Sequence, residues 1–375
     1  MDTTGNTKRI LVLLLMVAGV VVAAAGSADA DFTFDNLKNL GPLINTSMQE
    51  FPWWITPDGL QLWFQRSPSN WAINEGFVAT RATKDDPWGN PASAGLGNDP
   101  STFNTLGIVP GVTTGDGLEM YFADVRTGGY GSSDLWVTKR DRIGDDWSQL
   151  VNLGPVVNSS AGEAYPTVSP DGLELYFDSG SSGYPVRPGG CGSADLWVTK
   201  RATRNAPWGT PVNLGPTVNS ASGDGYPVLQ NDGRLLFFFS NRPGGYGSYD
   251  VWMTTRATTD APWKQSANLG PLVNSTSIEI GAYVSADGST LVFNSTRAGG
   301  YGLHDIWQVS VIPIADFNAD GKVDLVDLVM LIDNWGMNKS LCDIGPMPWG
   351  DGKVDIEDLK VFMTYWEKAN PPVKP

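Results

Sequence analysis

The chain has 375 residues and a formal net charge of −15, from 40 acidic and 25 basic residues with a single histidine. So acidic a protein is a poor match for a polyanion, which argues against nucleic acid as a partner and leaves cations and neutral sugars open. Two cysteines, Cys191 and Cys342, are too few for a disulfide framework.

The first thirty residues read as a leader. Lys8 and Arg9 precede the apolar run ILVLLLMVAGVVVAAAG, and Ala28-Asp29-Ala30 offers a small-x-small cleavage site. At 17 residues the run is short for a membrane span, so cleavage is expected over an uncleaved anchor. Removing residues 1–30 takes away two bases (Lys8, Arg9) and two acids (Asp2, Asp29) and leaves the charge at −15. The expected location is the cell exterior or surface, with the periplasm as the other export destination, and with no span left in the mature chain. An export compartment permits a Cys191–Cys342 bridge without requiring one.

Residues 31–313 repeat. YPTVSPDGLELYFDS (165–179) has counterparts in FPWWITPDGLQLWFQ, VPGVTTGDGLEMYFA, YPVLQNDGRLLFFFS and AYVSADGSTLVFNS, with Asp-Gly pairs at 58, 116, 171, 232 and 287. In each, Asp-Gly stands between alternating apolar stretches, the signature of a tight hairpin. A second element follows each time, GGYGSSDLWVTKR (128–140) and its relatives, with a degenerate first copy NWAINEGFVATR. A third, PWGTPVNLGPTVNS (207–220), has relatives near Trp88, Trp147 and Trp263. Four short strands per repeat at a period near 55 residues predict a mainly β fold, a five-bladed β-propeller. The mature N-terminus, FDNLKNLGPLINTSMQE, matches the end of repeat four, KQSANLGPLVNSTSIE, and repeat five lacks that strand. The N-terminal strand is therefore expected to complete blade five and close the ring.

The run SPDGLELYF with GYGSYDVW resembles the WD-like propeller repeat of TolB-type periplasmic proteins, over residues 32–313. The resemblance implies fold and leaves function to the loops. Asp134, Asp195, Asp250 and Asp305, each opening a strand, are expected to bond local backbone amides, and the tryptophans to pack between blades. One end of the channel gathers candidates. Eight residues before Asp-Gly stand Glu50, Glu163, Asp224 and Glu279, with Ile108 as the exception in repeat two. After the second strand come Arg66, Arg126, Arg242 and Arg297, and Tyr130, Tyr246 and Tyr301 ride on the glycine loops. Three readings compete: inter-blade pairing of charges, a sugar- or cation-binding mouth, and catalysis of the five-bladed arabinanase type, for which Glu163 and Asp224 are the pair to test. Catalysis needs two carboxyls in different environments, whereas these follow the repeat. His304 reads as a surface histidine.

Beyond the propeller, DFNADGKVDLVD (316–327) places oxygen-bearing side chains at loop positions 1, 3, 5, 9 and 12 (Asp316, Asn318, Asp320, Asp324, Asp327), with Gly321 at the turn and the Lys322 carbonyl at position 7. Hard oxygen donors at this spacing predict Ca²⁺. A second copy offers Asp351, Lys353 (through its carbonyl), Asp355 and Asp358, with Gly352 at the turn. Met347 and Trp349 fall at its first two ligand positions, unless the segment loops out and Asp343 serves first. Two such loops, each followed by a helix, resemble a type I dockerin module over about 316–367. The resemblance implies docking to a cohesin-type scaffold protein through Leu325, Val326, Ile356 and Glu357.

The expected organisation is a leader (1–30), a propeller (31–313), a small α-helical calcium-binding domain (314–368) and a tail (369–375). The favoured function is a secreted, calcium-binding, non-catalytic propeller that binds carbohydrate or protein and is tethered to an extracellular scaffold in polysaccharide degradation. The alternative is a dockerin-bearing glycoside hydrolase of the arabinanase type.

Overall fold

The computed structural model describes residues 32–369 apart from 57, 69–74, 85, 94–111, 181–184, 231–232, 286–287, 314, 318–321, 338–341 and 346–352. The leader, Ile108, most of the degenerate repeat-one loop and residues 370–375 lie outside the described residues.

The strand β1 (Phe32–Asn39) comes first in the chain. Blade 1 is β2 (Gln49–Ile55), β3 (Gln61–Ser67), β4 (Glu75–Thr80) and β5 (Ala92–Ser93). Blade 2 is β6 (Val112–Thr113), β7 (Glu119–Asp124), β8 (Asp134–Lys139) and β9 (Val151–Asn152). Blade 3 is β10 (Glu163–Val168), β11 (Glu174–Ser179), β12 (Asp195–Lys200) and β13 (Val212–Asn213). Blade 4 is β14 (Asp224–Leu229), β15 (Leu235–Ser240), β16 (Asp250–Thr255) and β17 (Ala267–Asn268). Blade 5 is β18 (Glu279–Val284), β19 (Thr290–Ser295) and β20 (Asp305–Pro313), and its fourth strand is β1. The result is five antiparallel four-stranded sheets, a mainly β, five-bladed propeller.

Closure by β1 reaches the side chains. Asn39 donates to Asp305 at 2.8 Å, as Asn152 does to Asp134 and Asn268 to Asp250 within their own blades. Asn45 bonds the backbone of Ile306, the role Asn158, Asn219 and Asn274 fill elsewhere. The N-terminal segment thus inserts a complete copy of the repeat's outer strand.

The Asp-Gly turns form because only glycine adopts their backbone cheaply. Gly59, Gly117, Gly172, Gly233 and Gly288 all have φ between +67° and +73°. Each inner strand then hands over to the next blade. The amides of Glu163, Asp224, Glu279 and Glu50 donate to the carbonyls of Ser133, Ala194, Tyr249 and His304 at 2.7–2.9 Å. These bonds stitch blades 2–3, 3–4, 4–5 and 5–1.

Sheets sandwiched between neighbours bury both faces, which is why β11 (ELYFDS) is buried throughout instead of alternating. Between blades, Trp208 packs edge-on against Tyr121, and Trp263 against Tyr176. Arg201 and Arg256 lie 4.4 Å over those two indoles and reach across to Glu119 and Glu174 of the preceding blade. The expected inter-blade role of these tryptophans is what the structure contains.

Two helices follow, α1 (Leu325–Asp333) and α2 (Ile356–Ala369). They enclose a separate core of Phe317, Leu331, Cys342, Ile344, Val354 and Phe362. Cys342 is buried there and Cys191 is exposed on blade 3, and no disulfide joins them. Among the described residues no helix is long and apolar enough to cross a membrane.

Candidate functional site

The channel-mouth acids are side chains at the entry of each inner strand, and all four are fully buried. Each is held by the chain just before it. Ser159, Ser220 and Ser275 give both a backbone N–H and a hydroxyl to Glu163, Asp224 and Glu279, and the Thr46 hydroxyl bonds Glu50 at 2.6 Å. An arginine of the same blade completes each set: Arg66 on Glu50 (3.1 Å), Arg242 on Asp224 (2.6 Å) and Arg297 on Glu279 (3.3 Å). Burial nonetheless pushes the Glu50 and Glu163 carboxyls above their ordinary range, despite their hydroxyl and arginine partners. Glu50 Oε2 is buried without a hydrogen-bond partner.

Two details depart from the sequence reading. Blade 3 has its own arginine, Arg187, 3.4 Å from Glu163. It lies after an insertion that carries it out of register with Arg242 and Arg297. In blade 2, where repeat two has Ile108, Arg126 pairs instead with Asp124 at 2.5 Å. The carboxylate has moved to the neighbouring strand and the pair survives. Every one of the five arginines also stacks on an aromatic ring of its blade: Arg66 on Phe77, and Arg126, Arg187, Arg242 and Arg297 on Trp136, Trp197, Trp252 and Trp307, at 4.7–5.3 Å. The acids and arginines of this ring are paired within their blades.

Other residues break the repeat. On the second strand, seven residues after the Asp of each Asp-Gly pair, blade 3 alone has a carboxylate, Asp178, where the others have Gln65, Ala123, Phe239 and Asn294. Asp178 is buried and accepts the Tyr226 amide at 2.7 Å. Tyr165 and Tyr226 adopt φ of 48° and 54°, a left-handed conformation that non-glycine residues seldom keep unless their surroundings demand it. Their rings lie 4.5 Å apart, tilted by 37°, at the bulge of each inner strand. Both left-handed tyrosines stand six residues before Asp-Gly, in the Tyr-Pro of repeats three and four, and Gly281 takes that place in repeat five with φ of 61°. Asp178 could have been found by asking which blade differs.

His304 is not a surface residue. Its Nδ1 is 2.7 Å from Asn294 Oδ1, its ring lies 5.0 Å from Phe51, and burial pushes it down to about 4. It sits in the seam between blades 5 and 1.

The glycine loops match expectation. Asp134, Asp250 and Asp305 accept the amides of Tyr130, Tyr246 and Tyr301 at 2.5–2.6 Å, and those of the following glycines at 2.9 Å. Asp195 accepts the Cys191 amide at 2.7 Å in the same way. The three tyrosines are exposed, at 51%, 44% and 51%.

In the C-terminal module Asp324 caps α1 in a reciprocal box with Asp327. Asp327 also accepts the Phe317 amide at 2.7 Å, and Asp358 accepts the Ile344 amide at 2.6 Å. Asp355 repeats the role of Asp324, its amide donating to Asp358. By this correspondence Asp343, just before Ile344, occupies the place of Asp316, just before Phe317. Burial pushes Asp358 up to about 6, with Asp343 adding to the rise. Asn318, Asp320, Gly321, Asp351 and Gly352 lie outside the described residues, and Lys322 and Lys353 enter only through the loop ends. Among the described residues no three His, Cys, Asp or Glu side chains converge as a metal cluster. The donors that are described are all oxygen, the type Ca²⁺ prefers. Leu325, Val326 and Ile356 are exposed on the helix starts, and Glu357 pairs with Lys360 at 2.6 Å.

No family model matches the chain, and no curated protein does. Solved structures with a similar fold include an α-L-arabinofuranosidase from Lactobacillus brevis, 17% identical with a TM-score of 0.45, covering 72% of this chain and 92% of that one. A thermostable family-43 glycoside hydrolase is 13% identical with a TM-score of 0.44, covering 70% of this chain and 88% of that one. A putative TolB from Agrobacterium tumefaciens is 14% identical with a TM-score of 0.35, covering 73% of this chain and 96% of that one.

Proposed function

We propose that this is an exported carbohydrate-directed propeller whose glycine-loop face binds neutral polysaccharide, carried on a calcium-binding C-terminal module. The observation that carries the reading is the contrast on that face. Its acids and arginines are consumed in locks inside the blades, while its tyrosines are exposed on rigid loops. A face with buried, paired charge and exposed aromatic rings suits an uncharged, hydroxyl-rich ligand. In the module, Asp316, Asn318, Asp320, Asp324 and Asp327 would hold one Ca²⁺ with the Lys322 carbonyl. Asp343, Asp351, Asp355 and Asp358, with the Lys353 carbonyl, would hold a second in an enlarged loop. Calcium would order the loops ahead of the helices, and the exposed Leu325, Val326 and Ile356 with Glu357 would meet a cohesin-type scaffold protein. Affinity electrophoresis of the full chain in gels containing soluble arabinan, arabinoxylan or mixed-linkage β-glucan tests the carbohydrate reading. Migration unchanged in all three would reject it.

A second reading, an arabinanase-type glycoside hydrolase, is favoured by a different observation. Asp178 is a carboxylate unique to blade 3, and it lies on the strand paired with that of Glu163, whose carboxyl is raised by burial. The register sets Glu163 opposite Ser179 and Asp178 opposite Ala164, so the two carboxyls leave the sheet on opposite faces and meet different surroundings, the contrast of environments that hydrolysis uses. Release of reducing sugar from the same polysaccharides, abolished by Asp178→Asn and by Glu163→Gln in folded protein, would establish it in place of simple binding.

A further inference from the structure

The glycine loops have a structural task that the tyrosines do not share. A Cβ on Gly131, Gly192, Gly247 or Gly302 would overlap backbone carbonyls of the next blade's entry loop, so these glycines press one blade onto its neighbour. A Cβ on Gly129 would come within 2.7 Å of Asp134 Oδ2, and on Gly190, Gly245 and Gly300 it would overlap Asp195, Asp250 and Asp305. The residue between these two glycines is fixed by its amide alone. Blade 3 demonstrates this: Cys191 takes the same bond to Asp195 with no ring at all. The stitch therefore does not need tyrosine. Yet three of the four described loops present one, 44–51% exposed, on a backbone locked at both ends.

We infer that Tyr130, Tyr246 and Tyr301 are a blade-spaced row of stacking platforms that grips spaced sugar units along one neutral polysaccharide chain, with Cys191 marking a gap in the row. This rests on the carbohydrate reading above and names its contacts. Three features select the ligand. The platforms stand on three different blades, 2, 4 and 5, which suits a polymer better than a single sugar. The arginines of this face are paired, so it offers no ready counter-charge to a uronate chain. Leu303 and Met48, exposed beside Tyr301 at the seam of blades 5 and 1, extend the apolar surface on which sugar C–H faces pack. A backbone already locked by its loop leaves only the ring torsions to be lost on binding, and contacts on one polymer reinforce each other.

Gap-filling makes the test two-sided. The full-length protein is run in affinity gels containing soluble arabinan, arabinoxylan or mixed-linkage β-glucan, with polygalacturonate as the anionic probe. Wild type is expected to be retarded in at least one neutral gel and not by polygalacturonate. Tyr246→Ala with Tyr301→Ala, on adjacent blades, should weaken that retardation about tenfold or more, and Tyr130→Ala alone by less, as multivalent loss predicts. Cys191→Tyr joins blades 2 to 5 in one row and should strengthen it about threefold or more. Thermal midpoints should not move, because these rings are exposed and their loops are held through the backbone. Wild-type retardation that the alanine variants keep in full overturns this inference and leaves the carbohydrate reading standing. Binding lost only together with a fall in melting temperature also overturns it, because the rings would then be structural. No retardation of wild type in any neutral gel removes both.

Discussion

His304 shows how one residue can set a pH limit for the ring. Its Nδ1 bonds Asn294, and its carbonyl accepts the Glu50 amide that joins blade 5 to blade 1. Burial lowers it from 6.5 to about 4, with the neighbouring Asp305 opposing the drop. The folded protein therefore keeps the ring neutral where an unfolded chain would already bind a proton. Its contribution to stability is complete above pH 6.5, falls as pH drops toward 4, and levels off below that. The full swing is about 3 kcal/mol. Glu50, raised by burial in the same seam, works the other way at the acid end. Melting at pH 7.5 and 4.5 should show a larger acid loss in wild type than in His304→Gln; equal losses would remove histidine from the explanation. A second prediction concerns Arg242. Truncation to alanine strands Asp224, which is wholly buried, and should cost about 3–5 kcal/mol by denaturant unfolding. Arg242→Lys should recover little of this, since lysine cannot both stack on Trp252 and bond Asp224 and the Val218 carbonyl.

At the scale of elements, the repeat was legible because its strands are short and its turns obligatory. The Asp-Gly pairs mark the inner hairpins, and the NLGPL match told which strand would close the ring. The arginine locks were only half legible. Arg242 and Arg297 stand two residues past the serine that ends their strand, but Arg66 takes that serine's own place opposite the acid, and Arg187 follows an insertion. Spatial equivalence is kept there while sequence register is lost. The Asp124 exchange was invisible for the same reason, since only pairing across strands reveals that Arg126 has kept a carboxylate. Charge at the mouth read as a site because a sequence pattern cannot say which side chains are buried. Two consequences follow for the elements. Deleting β1 leaves the β20 edge unpaired, with the apolar residues it covered bare, and should replace a single cooperative propeller transition by a broad one with self-association visible on gel filtration. Gly192→Ala pushes a Cβ into the Ser220 and Ser222 carbonyls of the next blade and should cost about 1–3 kcal/mol, whereas Gly215→Ala, with open space around it, pays only for its positive φ.

At the scale of the molecule, two cores lie in one chain, and the smaller one contains a distinction between cap and ligand. Asp327 is buried, bonds the Phe317 and Asp324 amides, and closes the start of α1. Asp316 lies at the far end of the same loop. If Ca²⁺ binds there, the two aspartates should answer differently. With calcium chelated, Asp327→Ala should lower the stability of the module by about 1–2 kcal/mol, the usual loss for a helix-start cap. Asp316→Ala should leave the chelated protein almost unchanged and abolish the calcium-induced rise in its melting temperature. That rise follows from mass action, because an ion held only by the folded loops stabilises them by about 2.7 kcal/mol at a hundred times its dissociation constant. Calorimetry of the full chain reads both effects, since the module's transition should shift with calcium while the propeller's stays in place. An unchanged module transition in wild type would leave the aspartates as caps and remove calcium. A propeller transition that moved with calcium would instead send the search for the ion to the buried carboxylates of the blades.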